Sequence, residues 1–242
     1  MEQPKKTFSI AFEGMHRTGK GTQIELLKQK LESLGIPALS IRGEGFRSGK
    51  GESPYDPLSD YWQATSEELR QHGDFSKWEE ASHRLARELI VWRDRVLKQK
   101  VENSDFPYGV LLIDRSLISK TILKKLQNLD TDNDPITDTE LYPEKYGSKK
   151  KITPNMISPD LIIEFIAPQE VLLSRLDESD IDYEFRRNNI LNNYDLYTSA
   201  KESLPDEFKK RVITLDASKD ADTLFQEVVL AIKSRFTQLD NL

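Results

Sequence analysis

The sequence predicts an α/β fold, a three-layer sandwich in which helices cover both faces of a mainly parallel, five-stranded sheet. Short apolar runs alternate along the chain with longer segments whose apolar residues recur every three or four positions. Most of these apolar runs stop at a charged residue, and one stops just before a proline, as strands do at the edge of a sheet. Strands joined by helices in this order pair in parallel through right-handed crossovers.

The five predicted strands comprise residues 7–12, 38–41, 110–113, 161–166 and 212–215. Helical spacing predicts helices at residues 20–34, 60–100 with a break near Gly73, 116–129, 169–176, 183–204 and 222–236. In the first of these, Ile24, Leu27 and Leu31 recur at helical spacing, and Gly35 ends the helix.

The composition excludes several functional classes. Charged residues make up 31% of the 242 residues, above the usual value of about 25%, which favours a water-soluble protein. No run reaches the ~18 apolar residues that a membrane helix needs, and the N-terminal segment lacks a secretory apolar region. The chain has no Cys, which removes disulfides and thiolate nucleophiles and fits a reducing compartment, so we expect a cytoplasmic protein.

The charge balance limits the ligands. A net charge of −6 argues against general binding to nucleic acids or anionic membranes. An anionic ligand would therefore be held by a local basic site. The three histidines, at positions 16, 72 and 83, lie too far apart in sequence for a local metal motif.

Residues 14–22, Gly-Met-His-Arg-Thr-Gly-Lys-Gly-Thr, have the Gly-x4-Gly-Lys spacing of a P-loop between a predicted strand and a predicted helix. Glycines let backbone N–H groups converge on phosphate oxygens, and the following helix points its positive end at the same place. The alternative is a glycine-rich turn that binds no ligand. The predicted phosphate-binding residues are Gly14, Arg17, Thr18, Gly19, Lys20, Gly21 and Thr22.

We expect Mg²⁺ as the cofactor, with few protein ligands. Gly21 stands where many P-loops carry a hydroxyl that contacts Mg²⁺, and Thr22 comes one residue later. Asp114 follows the third predicted strand and is the predicted metal ligand, holding the water shell of the ion, while Arg115 can fork onto a phosphate. Alternatively, Asp114 caps the next helix and Arg115 forms a surface ion pair.

The motifs resemble those of thymidylate kinase, and their order along residues 7–236 carries most of the resemblance. The matching segments are Phe12-Glu13-Gly14, Gly19-Lys20-Gly21-Thr22-Gln23, Asp114-Arg115-x-x-x-Ser119, Pro159-Asp160-Leu161, Pro168-x-Glu170-Val171 and Leu215-Asp216-Ala217-Ser218. The resemblance implies a single P-loop kinase domain over residues 1–242, with a short lid near residues 176–184 and a long acidic loop insertion near residues 130–158. It also implies a homodimer that binds small-molecule nucleotides.

The resemblance assigns a catalytic set of Arg17, Lys20, Asp114 and Arg115. Lys20 would bind the outer phosphates of ATP, the phosphoryl donor. Arg17 matches a P-loop arginine of the eukaryote-like subgroup, which reaches the transferring phosphoryl group while the lid lacks a catalytic arginine. The lid segment here, residues 176–183, contains no Arg or Lys.

The acceptor would be bound at its phosphate and sugar, and the residues predicted for this role are His16, Arg42, Arg87, Arg115 and Ser119. Arg87 is the first choice for a family arginine on the helix before the third strand, and Arg93 is the second.

Several departures from the thymidylate kinase pattern fall in the acceptor region. His16 replaces the P-loop Asp that the family uses toward the 3′-hydroxyl of the acceptor sugar. Ser116 stands where an aromatic residue usually follows Asp-Arg, and Lys124 lies in the region where Gln or Thr would read the pyrimidine. The loop after Arg42 also lacks the usual Glu-Pro-Gly-Gly-Thr order. These departures leave the acceptor base open.

The function predicted is that of an ATP-dependent nucleoside monophosphate kinase acting on dTMP or a variant of it. A first alternative is a deoxynucleoside kinase, because Asp114-Arg115-Ser116 also looks like the Asp/Glu-Arg-Ser of those enzymes, or a polyphosphate-using nucleotide kinase, which the Gly-Lys-Gly and Asp-Arg-Ser segments together resemble. A nucleoside acceptor would need a carboxylate base, for which Glu13 and Glu44 are the candidates. A second alternative is a nucleotide-binding regulator without turnover.

Overall fold

The computed structural model describes residues 7–41, 109–126, 158–180 and 183–239, with residue 242 and the helical positions 90, 93, 94, 97, 98 and 101. The strands are β1 (Phe8–Gly14), β2 (Ala38–Ile41), β3 (Val110–Asp114), β4 (Leu161–Ile166) and β5 (Val212–Asp216). The helices are α1 (Lys20–Ser33), α2 (Leu117–Leu126), α3 (Gln169–Ser174), α4 (Tyr183–Ser199), α5 (Asp206–Lys209) and α6 (Ala221–Lys233), with 3₁₀ turns at Ala200–Ser203 and Thr237–Leu239.

The five strands form one parallel sheet in the order β2-β3-β1-β4-β5, so β1 is central. Its register places Phe12 beside Asp114 of β3 and Gly14 beside Phe165 of β4. The carboxyl ends of these three strands therefore meet at one edge of the sheet. The predicted parallel α/β fold is confirmed.

Each of the three inner strands contains an apolar run because both of its faces are covered. Consecutive residues of a strand point to opposite faces. The runs Ile10–Phe12 of β1, Leu111–Ile113 of β3 and Leu161–Ile163 of β4 are nevertheless 0% exposed throughout. On the α1 side of the sheet, α1 and α6 pack against each other.

Residue contacts divide the chain into two compact units. The first comprises Met1–Ile41, Pro107–Ser119 and Pro159–Leu242, and it holds all five strands. The second comprises Arg42–Phe106 and Lys120–Ser158; its described residues apart from Ser158 are helical, and Ile90 and Leu97 among them are completely buried. The single kinase domain predicted over residues 1–242 stays a prediction.

The element boundaries differ from the predicted ones mainly after residue 200. The helix predicted at residues 183–204 ends at Ser199 and continues as a 3₁₀ turn, and α5 was not predicted. Pro205 precedes α5 with the extended backbone that proline allows, so the chain restarts a helix there. The predicted break near Gly73 and the acidic insertion at 130–158 lie outside the described residues. No helix in the described part of the chain is long and apolar enough to cross a membrane.

Candidate active site

A loop of five residues connects β1 to α1 and has the backbone of a phosphate-binding turn. At Gly14, φ is 140° and an added Cβ would lie 2.5 Å from the carbonyl oxygen of Phe165, so glycine alone fits there. Gly19 is the N-cap of α1 with a left-handed φ of 84°, and no side chain caps the helix. The first N–H groups of α1 therefore point toward the loop, as anion binding requires.

The Lys20 side chain is buried within this loop. Its ammonium group donates hydrogen bonds to the carbonyl oxygens of Gly14 and Met15, each at 2.8 Å, and the residue is 7% exposed. The Thr18 hydroxyl donates to the same Met15 carbonyl at 2.9 Å. Lys20 thus places a positive charge in the turn whose N–H groups would meet a phosphate.

Arg17 is the third of the five loop residues and has a left-handed φ of 66°. Its guanidinium group forms an ion pair with Asp180, a residue of the segment predicted as the lid. The Nε atom of Arg17 is buried and has no hydrogen-bond partner among the described residues. A buried, unpaired N–H donor beside a P-loop fits a site whose ligand supplies anionic oxygens.

Arg175, at the end of α3, joins the loop to the turn after β5. Its guanidinium group donates to the carbonyl oxygens of Arg17 at 3.2 Å, Ala217 at 2.8 Å and Ser218 at 3.3 Å. A cavity of about 260 Å³ opens beside it, lined among others by Gly19, Gln23 and Lys219. The cavity adjoins the phosphate loop and is large enough for part of an elongated ligand.

Asp114, the last residue of β3, and Arg115, which follows it, lie beside the end of β1. Arg115 has a left-handed φ of 65°, donates its backbone N–H to the Phe12 carbonyl at 2.9 Å and is 8% exposed. The carboxylate of Glu13, 0% exposed, orders the residues that follow. One of its oxygens accepts the N–H groups of Ser116 and Ile118 at 2.7 and 3.0 Å, and the other accepts the N–H and hydroxyl of Ser119 at 3.2 and 2.5 Å.

Burial raises the pKa of Glu13, and the hydrogen bonds from Ser119 and Ser116 and the charge of Arg115 oppose that rise. The four hydrogen bonds to Glu13 hold the start of α2 in place. Because Asp114 and Arg115 directly precede that helix, these bonds also hold the two residues in place. In this arrangement its carboxylate is directed at backbone groups of its own chain.

The structure describes some of the predicted acceptor-binding residues, and others lie outside the described part of the chain. The ring of His16 contacts the ring of Phe185 on α4 edge-on, with centroids 6.2 Å apart. Ser119 is 1% exposed and its hydroxyl is bound to Glu13, so the structure gives it a supporting position, and contact with an acceptor stays a prediction. Arg42 and Arg87 lie outside the described residues. Arg93, the second choice, is completely buried and donates to the neighbouring Asp94 carboxylate at 2.7 and 2.9 Å.

A comparison with solved structures places this geometry in a known fold. The chain superposes on thymidylate kinase from Candida albicans with a TM-score of 0.55, over 95% of this chain and 92% of that one, at 17% sequence identity. The fold is that of thymidylate kinase. At this identity the likeness concerns the thymidylate kinase fold and not the activity. No protein-family model matches the chain, and no curated protein matches it by sequence.

The residues present fit a magnesium ion held mostly by phosphates and water. No cluster of three or more metal-binding side chains occurs in the described ranges. Asp114 supplies one carboxylate at the carboxyl edge of the sheet, with its Oδ1 atom buried. Mg²⁺ in phosphoryl-transfer sites commonly needs one or two carboxylates besides the nucleotide, so Asp114 is the residue that would hold it.

Sequence reasoning missed three residues at this site, namely Arg175, Asp180 and Arg186. The predicted lid segment, residues 176–183, contains no basic residue, and the two arginines lie just outside this segment on either side. Arg186 donates to the Asp180 carboxylate at 2.7 Å, on the same oxygen that Arg17 contacts. A wider window around the lid would have found both arginines from the sequence alone.

Proposed function

We propose that this protein is an ATP-dependent nucleoside monophosphate kinase of the thymidylate kinase type. It transfers the γ-phosphoryl group of ATP to the phosphate of a (deoxy)nucleoside monophosphate such as dTMP or a variant of it. The observation that carries the proposal is the loop from Gly14 to Lys20 on the central strand of a thymidylate kinase fold, with Asp114 and Arg115 at the neighbouring strand end.

Such a kinase needs positioning and charge compensation more than covalent chemistry. Lys20 is already enclosed by the loop, and it would exchange carbonyl oxygens for the outer phosphates of ATP. Arg17 would face the moving phosphoryl group. Asp114 would hold Mg²⁺, and the ion would supply positive charge to neutralise part of the charge on the phosphates. No general base is required, because the acceptor phosphate is itself a nucleophile near neutral pH.

The acceptor's phosphate would be bound by Arg115, together with Arg42 and Arg87. Arg115 is buried at the carboxyl end of β3 and is held by a backbone turn that the Glu13 network fixes. We keep the acceptor base open because His16 stands where the family has an Asp. The thymidylate kinase of Candida albicans, which has this fold, has broad substrate specificity, and an open choice of acceptor is compatible with that.

We also propose a single kinase domain over residues 1–242, with a lid near 176–184 and an insertion near 130–158. The enzyme would be a cytoplasmic homodimer in nucleotide biosynthesis. Gel filtration with light scattering tests the dimer, for which a mass near twice 27.9 kDa is expected.

The central experiment is an assay of ADP formation from ATP and Mg²⁺ with a panel of nucleoside and deoxynucleoside monophosphates. Wild-type protein should form ADP with at least one of them, and Lys20→Ala protein should not. Nucleosides and polyphosphate are run in parallel. Turnover with a nucleoside alone, or with polyphosphate in place of ATP, would favour the first alternative, and ATP binding without turnover would favour a regulator.

A deoxynucleoside kinase is the second candidate, and the Glu13 geometry argues against it. A nucleoside acceptor needs a carboxylate to take the proton of its hydroxyl group. Glu13 is completely buried and already accepts four hydrogen bonds, so it is not directed at a ligand. Glu44, the other candidate base, lies outside the described residues.

A further inference from the structure

Asp180 connects two arginines that are far apart in sequence. Its Oδ2 atom is the partner of Arg17 from the phosphate loop and also of Arg186 from the first turn of α4, the latter at 2.7 Å. The two guanidinium groups share one oxygen atom and therefore lie side by side. The three side chains are 30%, 23% and 35% exposed for Arg17, Arg186 and Asp180, so water and ligands can reach them.

The position of Arg186 is not explained by the stability of its helix. Cations near a helix N-terminus are disfavoured, because the N–H groups there already give that end a positive potential. α4 begins at Tyr183, whose N–H donates to the Asp180 carbonyl at 2.9 Å, so Arg186 lies in the first turn. The start of α4, Arg186 and Arg17 together create a positive region around one carboxylate oxygen.

A phosphate oxygen has the same charge and the same acceptor character as the carboxylate oxygen in that region. Paired guanidinium groups bind phosphate strongly because each offers several N–H donors in a plane. Arg17 also keeps a buried Nε without a hydrogen-bond partner among the described residues, so its donors are not all used by Asp180. Asp177, another acid of the predicted lid segment, accepts hydrogen bonds from the N–H and hydroxyl of Ser179 at 2.9 and 2.7 Å. These two hydrogen bonds stay within the lid segment.

We propose that Arg186 is a second arginine for the phosphate groups of the donor nucleotide, acting beside Arg17. Asp180 is the acceptor that both arginines give up when the phosphates bind. This inference rests on the proposed function. The thymidylate kinase pattern predicts one arginine, Arg17, for the transferring phosphoryl group, and Arg186 would be a second arginine from outside the lid segment.

The test compares Arg186→Gln with Arg187→Gln, which removes the same charge from the next, exposed position of α4. We expect Arg186→Gln to reduce kcat or raise the KM for ATP at least tenfold, with the KM for the acceptor unchanged within a factor of two. Arg187→Gln should change each constant less than twofold. Arg186→Lys, which keeps the charge without the planar fork, should recover part of the loss. Equal behaviour of the Arg186 and Arg187 variants would overturn the proposal.

A structural role, in which Arg186 only balances the charge of Asp180, is separated by a double variant. If that role were correct, Asp180→Asn would make Arg186 dispensable, and Asp180→Asn/Arg186→Gln would match Asp180→Asn. We expect the double variant to lose at least a further tenfold relative to Asp180→Asn. Melting curves and Arg186→Lys identify any loss that comes from misfolding.

Titration calorimetry with ATP separates this proposal from the proposed function. If wild-type protein binds ATP but transfers nothing to any monophosphate, the proposed function fails, and Arg186 is judged on the Kd for ATP. A Kd raised tenfold by Arg186→Gln and not by Arg187→Gln supports the proposal, and an unchanged Kd contradicts it. Absence of ATP binding by the wild type would overturn both.

Discussion

Replacing Glu13 by Gln tests whether one buried carboxylate holds the second half of the site in place. Four donors converge on Glu13, three of them backbone N–H groups at the start of α2. A helix cannot satisfy its own first N–H groups, so the carboxylate replaces the missing acceptors. Gln has the same shape but offers one acceptor oxygen and one NH₂ group in place of two oxygens.

The free-energy cost follows from the best orientation of the new amide. Its carbonyl oxygen can still accept from Ser116 and Ile118. Its NH₂ group then faces Ser119, whose hydroxyl can reverse and accept while its N–H loses its partner. One unsatisfied buried donor costs about 1–3 kcal/mol, and the remaining hydrogen bonds lose their charge assistance. Removing a buried charge recovers part of this, so we expect Glu13→Gln to destabilise the fold by about 2–4 kcal/mol.

Denaturant unfolding and thermal melting measure this loss, with Glu164→Gln as the matched control. Glu164 is the register neighbour of Glu13 on β4 and is 1% exposed, but its partners are the side chains of Thr214 at 2.7 Å and Lys201 at 3.3 Å. The Thr214 hydroxyl can reverse and Lys201 can reach water, so we expect a loss of less than about 1.5 kcal/mol. If Glu13→Gln costs no more than Glu164→Gln, the network around α2 does not have the role described here.

Three further predictions concern the phosphate loop with its helix α1 and the last α-helix, α6. Lys20→Ala should reduce kcat more than tenfold, which corresponds to about 1.4 kcal/mol of transition-state stabilisation. The control Lys28→Ala, on the same helix, should leave kcat unchanged. Steady-state kinetics measures kcat for both variants. Gly14→Ala should destabilise the fold by more than about 1 kcal/mol, because its Cβ would lie 2.5 Å from a carbonyl oxygen. In Gly21→Ala the new Cβ enters open space on a helix, so this variant should stabilise the fold by up to about 1 kcal/mol. Denaturant unfolding measures both changes. The carboxylate of Asp220 caps α6 by accepting the N–H groups of Thr223 and Asp222, and the hydrogen bonds from Thr223 lower the pKa of Asp220 most. A lowered pKa gives stability that is present above the ordinary pKa and lost as the pH falls through the lowered one, so the Tm of Asp220→Ala should be below that of the wild type at pH 7 and approach it below pH 4.

The sequence predicts the parts of the site that depend on local patterns. The strand ends and the phosphate loop follow from apolar runs and from glycines within nine consecutive residues, and in the structure they lie at one edge of the sheet. The sequence does not predict contacts between distant residues, such as Arg17 with Asp180, which are 163 residues apart, or Glu13 with Ser119, which are 106 residues apart. Which carboxylate meets which donor depends on side-chain directions that are set only when the helices pack on the sheet.

Backbone strain points to the same two residues as the chemistry. Arg17 and Arg115 are the non-glycine residues with positive φ in the described part of the chain, and each follows the carboxyl end of an inner strand. A left-handed backbone costs a side-chain-bearing residue roughly 1–2 kcal/mol, and it persists only when surrounding contacts enforce it. For Arg115 the enforcing contact is its N–H bond to Phe12, and for Arg17 it is the hydrogen bond from Arg175 to its carbonyl oxygen. Glycine would remove the strain at both positions, but it would also remove a guanidinium group, which under the proposed function is needed to bind a phosphate.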